Sequence, residues 1–224
     1  MQFMLHPQAG NSQLIVSGEE YKYLIKVRRH SIGDRIVFRR RDALSLAHYY
    51  VLESIDGRKG IFVHQNSVEE ECQSPYPLHI GWCIVDPKTV EKTLPMLVEL
   101  GVSAITFIRC QRSQHHFKLD FDRCNRIMES AIMQCGRTSV ITLEESPSLH
   151  CFLTAHPEAM IMDFGGERLR LEETFETVVI GCEGGFSAEE RSLCATHPIR
   201  HLGIGMILRS ETAVTTIAAL RAVR

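Results

Sequence analysis

The 224-residue sequence has no apolar stretch near the length of a bilayer-spanning helix, and its opening "MQFMLHPQAG" lacks the basic region and apolar core of a secretory signal. A cytoplasmic location is expected. Its eight cysteines, at 72, 83, 110, 124, 135, 151, 182 and 194, include no CxxC pair, which argues against zinc, and no metal is expected. Such scattered thiols fit a reducing compartment rather than a disulfide scaffold. No GxGxxG follows the first strand of the carboxyl-terminal half and no GxxxxGK[ST] occurs, so dinucleotide-binding and P-loop readings are poorly supported. The formal charge of −2 gives no overall bias toward a polyanion.

The distribution of charge says more. From Lys22 to Arg41, "KYLIKVRRHSIGDRIVFRRR" carries eight Lys and Arg residues, among them Arg28, Arg29, Arg39, Arg40 and Arg41, against Asp34 alone. A run of this kind is either a solvated face or, because it brackets a "SIGD" turn between β-prone segments, one side of a small barrel facing phosphates.

The rhythm of the chain changes once. "QLIVS", "RIVFRR", "LAHYYVLESI" and "KGIFVHQ" alternate with turns as in a small β-barrel or sandwich, with a helix-like "EEYKYLIKVRR" between the first two. "SVEEECQSPYP" at 67–77 reads as a boundary, which gives domains of 1–70 and 76–224. Beyond it, "LHIGWCIV", "VSAITFIRC", "SVITLEE" and "TFETVVIG" alternate with helical patterns such as "FDRCNRIMESAIMQCG", the signature of an α/β fold with a covered parallel sheet. Pro95 inside a helical stretch is a mild conflict. Ligands of such sheets bind outside the carboxyl ends of the strands, which points to "TAHP" at 154–157, "IGCEGG" at 180–185 and "HLGIGMILRSETA" at 201–213. Ser187 and Glu190 fit a capping box just past the glycines.

"VVIGCEGGFSAEE" followed by "HLGIGMILRSETA" resembles the paired signatures of the bacterial 16S ribosomal RNA uridine N3-methyltransferases, a branch of the SPOUT superfamily. Gly181, Glu183, Gly184, Gly185, Phe186, Ser187 and Glu190 match, as do Leu202, Gly203, Ile207, Leu208, Arg209, Glu211, Thr212 and Ala213. "VEKTLPMLVELGVSAITFI", "MQCGR" and "AHPEA" are similar to further family segments. Cys182, Gly205 and Ser210 depart from it, standing where the family has proline, often arginine, and threonine.

The resemblance implies a SPOUT-type parallel sheet with a carboxyl-terminal trefoil knot, preceded by a small PUA-like RNA-binding β-barrel, in a homodimer that acts on 16S ribosomal RNA or the 30S subunit. It implies S-adenosyl-L-methionine bound by His156, Gly181, Glu183, Gly184, Gly185, Leu202, Gly203, Ile207, Leu208 and Thr212. Arg209 is the candidate cation for the uracil anion that forms as N3 loses its proton, or else a brace for Glu211 or Glu183. Glu183 is a candidate proton acceptor, or a loop anchor beside the sulfonium. Arg112 joins Arg28, Arg29, Arg39, Arg40 and Arg41 as RNA-binding candidates, and His115 and His116 lie close by in the same segment. The alternatives are a knotted methyltransferase acting on another RNA position, such as a ribose 2′-oxygen, and a non-enzymatic RNA-binding module that has lost its cofactor site.

Overall fold

The computed structural model describes residues 2–113 and 117–223, so His115 and His116 lie outside the described residues. Two compact units form: Met1–Gln73 with Ile132–Ser139, and Ser74–Ala131 with Val140–Arg224.

The first unit is built on a five-stranded sheet of β1 (Met4–Leu5), β2 (Gln13–Ser17), β3 (Arg35–Arg40), β4 (Ala43–Asp56) and β5 (Lys59–Glu69), in the order β1-β3-β4-β5-β2. All pairings are antiparallel except β1 with β3. Alternation in β2 buries Leu14 and Val16, which join Leu24, Phe38, Tyr50, Leu52 and Phe62 in one core. Register shifts in β3, β4 and β5 curl the sheet around these side chains. Between β2 and β3 the chain makes α1 (Gly18–Tyr21), which continues as a π-helical turn over Lys22–Val27.

One of those register shifts corrects the sequence reading. Strict alternation would send Arg39 to the face opposite Phe38, but the irregularity between Phe38 and Arg40 lets both side chains be buried, with Arg39 only 5% exposed. Its guanidinium donates to the Leu44 carbonyl at 2.6 Å and pairs with Glu70 at 2.8 Å. Arg39 is a buried structural ion pair and leaves the phosphate-facing set.

The second unit is an all-parallel six-stranded sheet, order β11-β9-β10-β6-β7-β8, of β6 (His79–Cys83), β7 (Ala104–Ile108), β8 (Thr142–Ser146), β9 (Met160–Arg168), β10 (Thr177–Ile180) and β11 (Ile199–His201). Its helices are α2 (Pro87–Glu99), α3 (Phe121–Cys135, of which the residues from Ile132 on belong to the first unit), α4 (Leu149–Ala155), α5 (Ala188–Cys194) and α6 (Ser210–Ala222). In α2, Asp86 caps the start by accepting from the Lys88 N–H, Pro87 takes the first turn, and Val90, Thr93, Leu94, Leu97 and Val98 make the buried stripe. The helix runs on through Pro95, which forfeits one backbone hydrogen bond but leaves the buried stripe continuous.

Two expectations change here. "TAHP" is not the end of a strand: Ser148 caps Leu149–Ala155 as a helix, its hydroxyl accepting from the Cys151 N–H at 3.1 Å. The strand that follows is "MIMDFGGER", an apolar run the sequence reading passed over. Cys83 and Cys110, 27 residues apart, are joined in a disulfide, because β6 and β7 are neighbours and bring the two to one edge at a Cα separation of 5.8 Å. The other six cysteines are free.

Burial sets an acid limit on the first unit. His48 is 5% exposed, and burial first, then the charges of His64, Arg40 and Arg39, holds its imidazole below its ordinary value. An unfolded chain then binds a proton on His48 more readily than the folded one, so stability falls as pH drops below about 6.5. Thermal melts at pH 7.5 and pH 5 should show this loss. His48→Gln should reduce the difference between the two melts.

Candidate active site

In a parallel sheet all strands end at one edge, and at that edge the chain forms an open cavity. Its walls come from Met162, Asp163 and Phe164 in β9, Ile180 to Glu183 with Gly185 and Phe186 after β10, Arg200 to Leu202 at β11, the loop residues Ile204 and Met206 to Leu208, and Ser210 and Ala213 at the start of α6. Three chain segments thus meet where β10 stops.

Hydrogen bonds hold these segments together. The Ser210 hydroxyl donates to the Gly181 carbonyl at 2.6 Å and accepts from the buried Trp82 indole at 2.8 Å, linking β6, the glycine loop and α6. The expected capping box is present: Ser187 accepts from the Glu190 N–H at 3.1 Å and its own N–H donates to Glu190 Oε2 at 2.9 Å. The other oxygen of Glu190 accepts from the Gln111 N–H at 2.8 Å, and Arg112 reaches the Gly184 carbonyl, also at 2.8 Å. The segment that starts at disulfide-bonded Cys110 therefore braces the glycine loop at Gly184 and the helix after it at Glu190.

The glycines have separate reasons. Gly185 has φ +63°, a left-handed conformation that closes a turn in which its N–H reaches the Cys182 carbonyl at 2.9 Å. At Gly203, φ +72°, an added Cβ would sit 2.5 Å from Arg168 Nε. That glycine makes room for a side chain of the protein itself.

Of the sequence candidates, Gly181, Glu183, Gly185, Leu202, Ile207 and Leu208 line the cavity, whereas His156, Gly184, Gly203 and Thr212 do not. His156 is misplaced most clearly. It caps the end of α4, ahead of β9, and its ring stands 4.6 Å from that of His79, the first residue of β6, while Glu158 beside it accepts from Thr177, the first residue of β10. Those are amino ends of strands. His156 is therefore at the edge opposite the cavity, because a residue preceding a parallel strand cannot be at its carboxyl end. The cavity takes Met162, Asp163 and Phe164 from that strand instead. The alternation of strand and helix carried the signal for them, had "TAHP" been read as the end of a helix.

The charges of the cavity are unequally free. Arg200 is committed to Glu173, with Nε 2.8 Å from one carboxylate oxygen and 3.0 Å from the other. Asp163 accepts from Arg191 Nε at 3.0 Å and from the Phe164 N–H at 2.9 Å. Glu183 is exposed and makes no hydrogen bond or ion pair with a described residue, so the anchoring of the loop belongs to Glu190. Arg209 lies between cavity-lining Leu208 and Ser210, but its side chain is 83% exposed and reaches Glu211 only at 4.0 Å, too weak a pair to brace two loops. Burial pushes the Cys182 thiol up, and burial with the nearby Asp163 and Glu190 pushes Cys194 to about 11, so neither is an activated nucleophile. Among the described residues no group of three or more His, Cys, Asp or Glu side chains is placed to hold a metal ion.

Residues 72–222 match the family model described as RNA methyltransferase domain. Over 98% of the chain the sequence is 31% identical to ribosomal RNA small subunit methyltransferase E of Helicobacter pylori, 99% of which is covered. This chain belongs to that methyltransferase family. A second relative, ribosomal RNA small subunit methyltransferase E 2 of Borreliella burgdorferi, is 25% identical over 92% of this chain and 89% of its own. Among solved structures, a Legionella pneumophila methyltransferase in complex with the cofactor SAM superposes with TM-score 0.77 at 24% identity, covering 99% of this chain and 97% of that one. The Neisseria gonorrhoeae ribosomal RNA small subunit methyltransferase E bound to S-adenosyl methionine gives 0.76 at 22%, covering 98% and 95%. These likenesses establish the family's fold: a curled sheet in one unit and an all-parallel sheet in the other.

The buried carboxylate of Glu190 supplies a test of the bracing. Glu190→Gln turns one oxygen into an amide that faces a backbone N–H, leaving a buried donor unmatched at a cost of about 1–3 kcal/mol. Denaturant melts should register that loss. Proteolysis should accelerate in both the Gln111 and Ser187 segments.

Proposed function

We propose that this chain methylates N3 of a uridine in 16S ribosomal RNA, in the 30S subunit, with S-adenosylmethionine as methyl donor. The carrying observation is the chemistry of the cavity. An apolar wall of Leu202, Ile204, Ile207 and Leu208 stands beside Glu183, and the lining arginine is already neutralised by Glu173. That combination fits a flat aromatic ring joined to a cationic chain, which is what S-adenosylmethionine offers. The donor sets of the cavity therefore suit the cofactor, whose sulfonium supplies an electrophilic methyl group when bound.

The protein's own work is to orient and to manage charge. Backbone groups of the glycine loop and the Leu202–Leu208 loop would grip the adenosyl end. Glu183, with its carboxylate unpaired among the described residues, would lie toward the sulfonium or take the N3 proton. Arg209, held at the rim with a guanidinium only weakly engaged by Glu211, would meet the negative charge that develops on uracil. The base has to be unpaired or turned out for N3 to be reached.

Further parts of the reading rest on the same resemblance. Residues 1–70 are proposed as a PUA-like RNA-binding barrel, 76–224 as the SPOUT domain with a trefoil knot through the loops of the cavity, and the working unit as a cytoplasmic homodimer. Exposed Ile204, Met206 and Ile207 on one loop support a partner surface. No described helix is long and apolar enough to cross a membrane. For RNA, Arg28 and Arg29 are the proposed phosphate contacts, since both are exposed. Arg28 is steadied by two hydrogen bonds to the Tyr23 hydroxyl, and Arg29 stands out at φ +59°. Arg40 is tied to Asp42, and Arg112 to Gly184, so both would have to exchange a partner to join in, while Arg41 is exposed at the turn after β3.

Nucleoside mass spectrometry of small-subunit RNA incubated with the protein and S-adenosylmethionine tests the reaction. It should yield N3-methyluridine, and a 2′-O-methylated nucleoside in its place would move the chain to the other branch. Arg209→Ala should slow single-turnover methylation by about 10²–10³ while cofactor affinity holds, with Arg209→Lys in between. The alanine variant should recover rate as pH rises, because more uridine is then already anionic. A loss of cofactor binding together with an unchanged pH profile would remove Arg209 from the chemistry.

RNA affinity has its own test. Arg28→Ala with Arg29→Ala should lower the log–log salt slope of RNA binding by about one to two units, and calorimetry should find cofactor affinity unaltered. An unchanged slope returns the basic run to a solvated face.

A further inference from the structure

Asp163 has no role in the reading of the site so far, yet it is the one carboxylate of β9 that lines the cavity. It follows Met162, which is paired with Ile180, and so stands beside Gly181 where β10 gives way to the glycine loop. Its side chain is 15% exposed. Each oxygen already has one donor: Oδ1 accepts from the Phe164 N–H at 2.9 Å, and Oδ2 from Arg191 Nε at 3.0 Å. A carboxylate has about four acceptor directions, so each oxygen keeps room for one more donor. Both belong to one planar group, and that group lines the cavity.

Two kinds of donor on S-adenosylmethionine compete for that place, the α-ammonium and the ribose hydroxyls. Arg191 decides between them. Its guanidinium already neutralises Asp163, so a second cation would gain little there and would face like charge at close range. Neutral hydroxyls suffer no such repulsion and still gain the strength of a charged acceptor. A vicinal diol also presents two donors at the spacing of two carboxylate oxygens. Glu183, which is exposed and carries no ion pair with a described residue, is the better partner for the cationic end. We infer that Asp163, fixed by Arg191, accepts the 2′- and 3′-hydroxyls of the cofactor's ribose and so makes the cavity selective for a ribonucleoside.

This inference rests on reading the cavity as the S-adenosylmethionine site, and the experiment separates the two. Calorimetry would compare S-adenosylhomocysteine, its 2′,3′-dideoxy analogue, and 5′-methylthioadenosine, which keeps the ribose but lacks the amino-acid end. Wild-type protein should bind the dideoxy analogue at least about 10-fold more weakly than S-adenosylhomocysteine, given the strength of hydrogen bonds to a charged group. Asp163→Ala should weaken S-adenosylhomocysteine and methylthioadenosine alike, and should no longer distinguish the dideoxy ligand from its parent. Asp163→Asn keeps the shape and one acceptor, so it guards against simple collapse of the loop and should retain part of the discrimination. If Asp163→Ala still rejects the dideoxy analogue as strongly as wild type does, the ribose assignment is wrong. If it loses S-adenosylhomocysteine but binds methylthioadenosine normally, Asp163 serves the amino-acid end and the assignment is equally overturned. Failure of wild-type protein to bind any of the three would overturn the reading of the cavity itself, and the role of Asp163 with it.

Discussion

Glu190 puts a carboxylate where only 4% of the residue is exposed, and it leaves neither oxygen idle. One takes the Ser187 N–H that begins α5, and the other takes the Gln111 N–H from the segment after β7. A buried charge without such donors would cost several kcal/mol, so the arrangement stands or falls as a whole. Everything at the carboxyl edge follows from it. With α5 and the Gln111 segment tied together, Arg112 is placed to hold the Gly184 carbonyl, and the turn from Cys182 to Gly185 is gripped from outside. Trp82 and Ser210 grip it from inside through the Gly181 carbonyl. The loop is thereby preorganised without the proline that the family resemblance places at Cys182.

Much of this was legible in the sequence because it is local. The capping box needs only Ser187 and Glu190 three apart, and the strands of the first unit announce themselves by alternation between turns. Glycine spacing located the cavity's central loop. What was not legible depends on partners far along the chain. The second bond of Glu190 reaches back 79 residues, and the Trp82 to Ser210 bond spans 128. The Cys83 to Cys110 bond needs strand neighbours that periodicity alone does not rank.

His156 and Arg39 were misread for two different physical reasons. His156 matched a family dipeptide in type, but matching a pair of residues says nothing about which end of a strand they occupy. Once Leu149–Ala155 is a helix, the histidine precedes its strand rather than following it, and it is carried to the wrong edge of the sheet. Arg39 was assigned by counting charges, and it lies buried at the break of register between Phe38 and Arg40, paired with Glu70. A run of arginines is thus not one functional unit. Arg28 and Arg29 project from the end of a helical turn, where no strand register constrains them, and Arg39 sits in a ladder where a single irregular pair changes its face.

The same distinction orders the charges around the cavity. Arg200 and Asp163 are both paired within the protein, to Glu173 and to Arg191, and pairing lowers the ability of each to attract an ion. They shape the walls and offer directional hydrogen bonds. Glu183 and Arg209, by contrast, are exposed, opposite in sign and held on adjoining loops, with Glu183 unpaired among the described residues and Arg209 only weakly engaged. Charges left uncommitted in this way cost little while water covers them, and they strengthen when a ligand displaces that water. A cation delivered against Glu183 and an anion developing near Arg209 would each meet the sign it needs, so the pairing pattern itself separates the residues that build the site from those free to act in it.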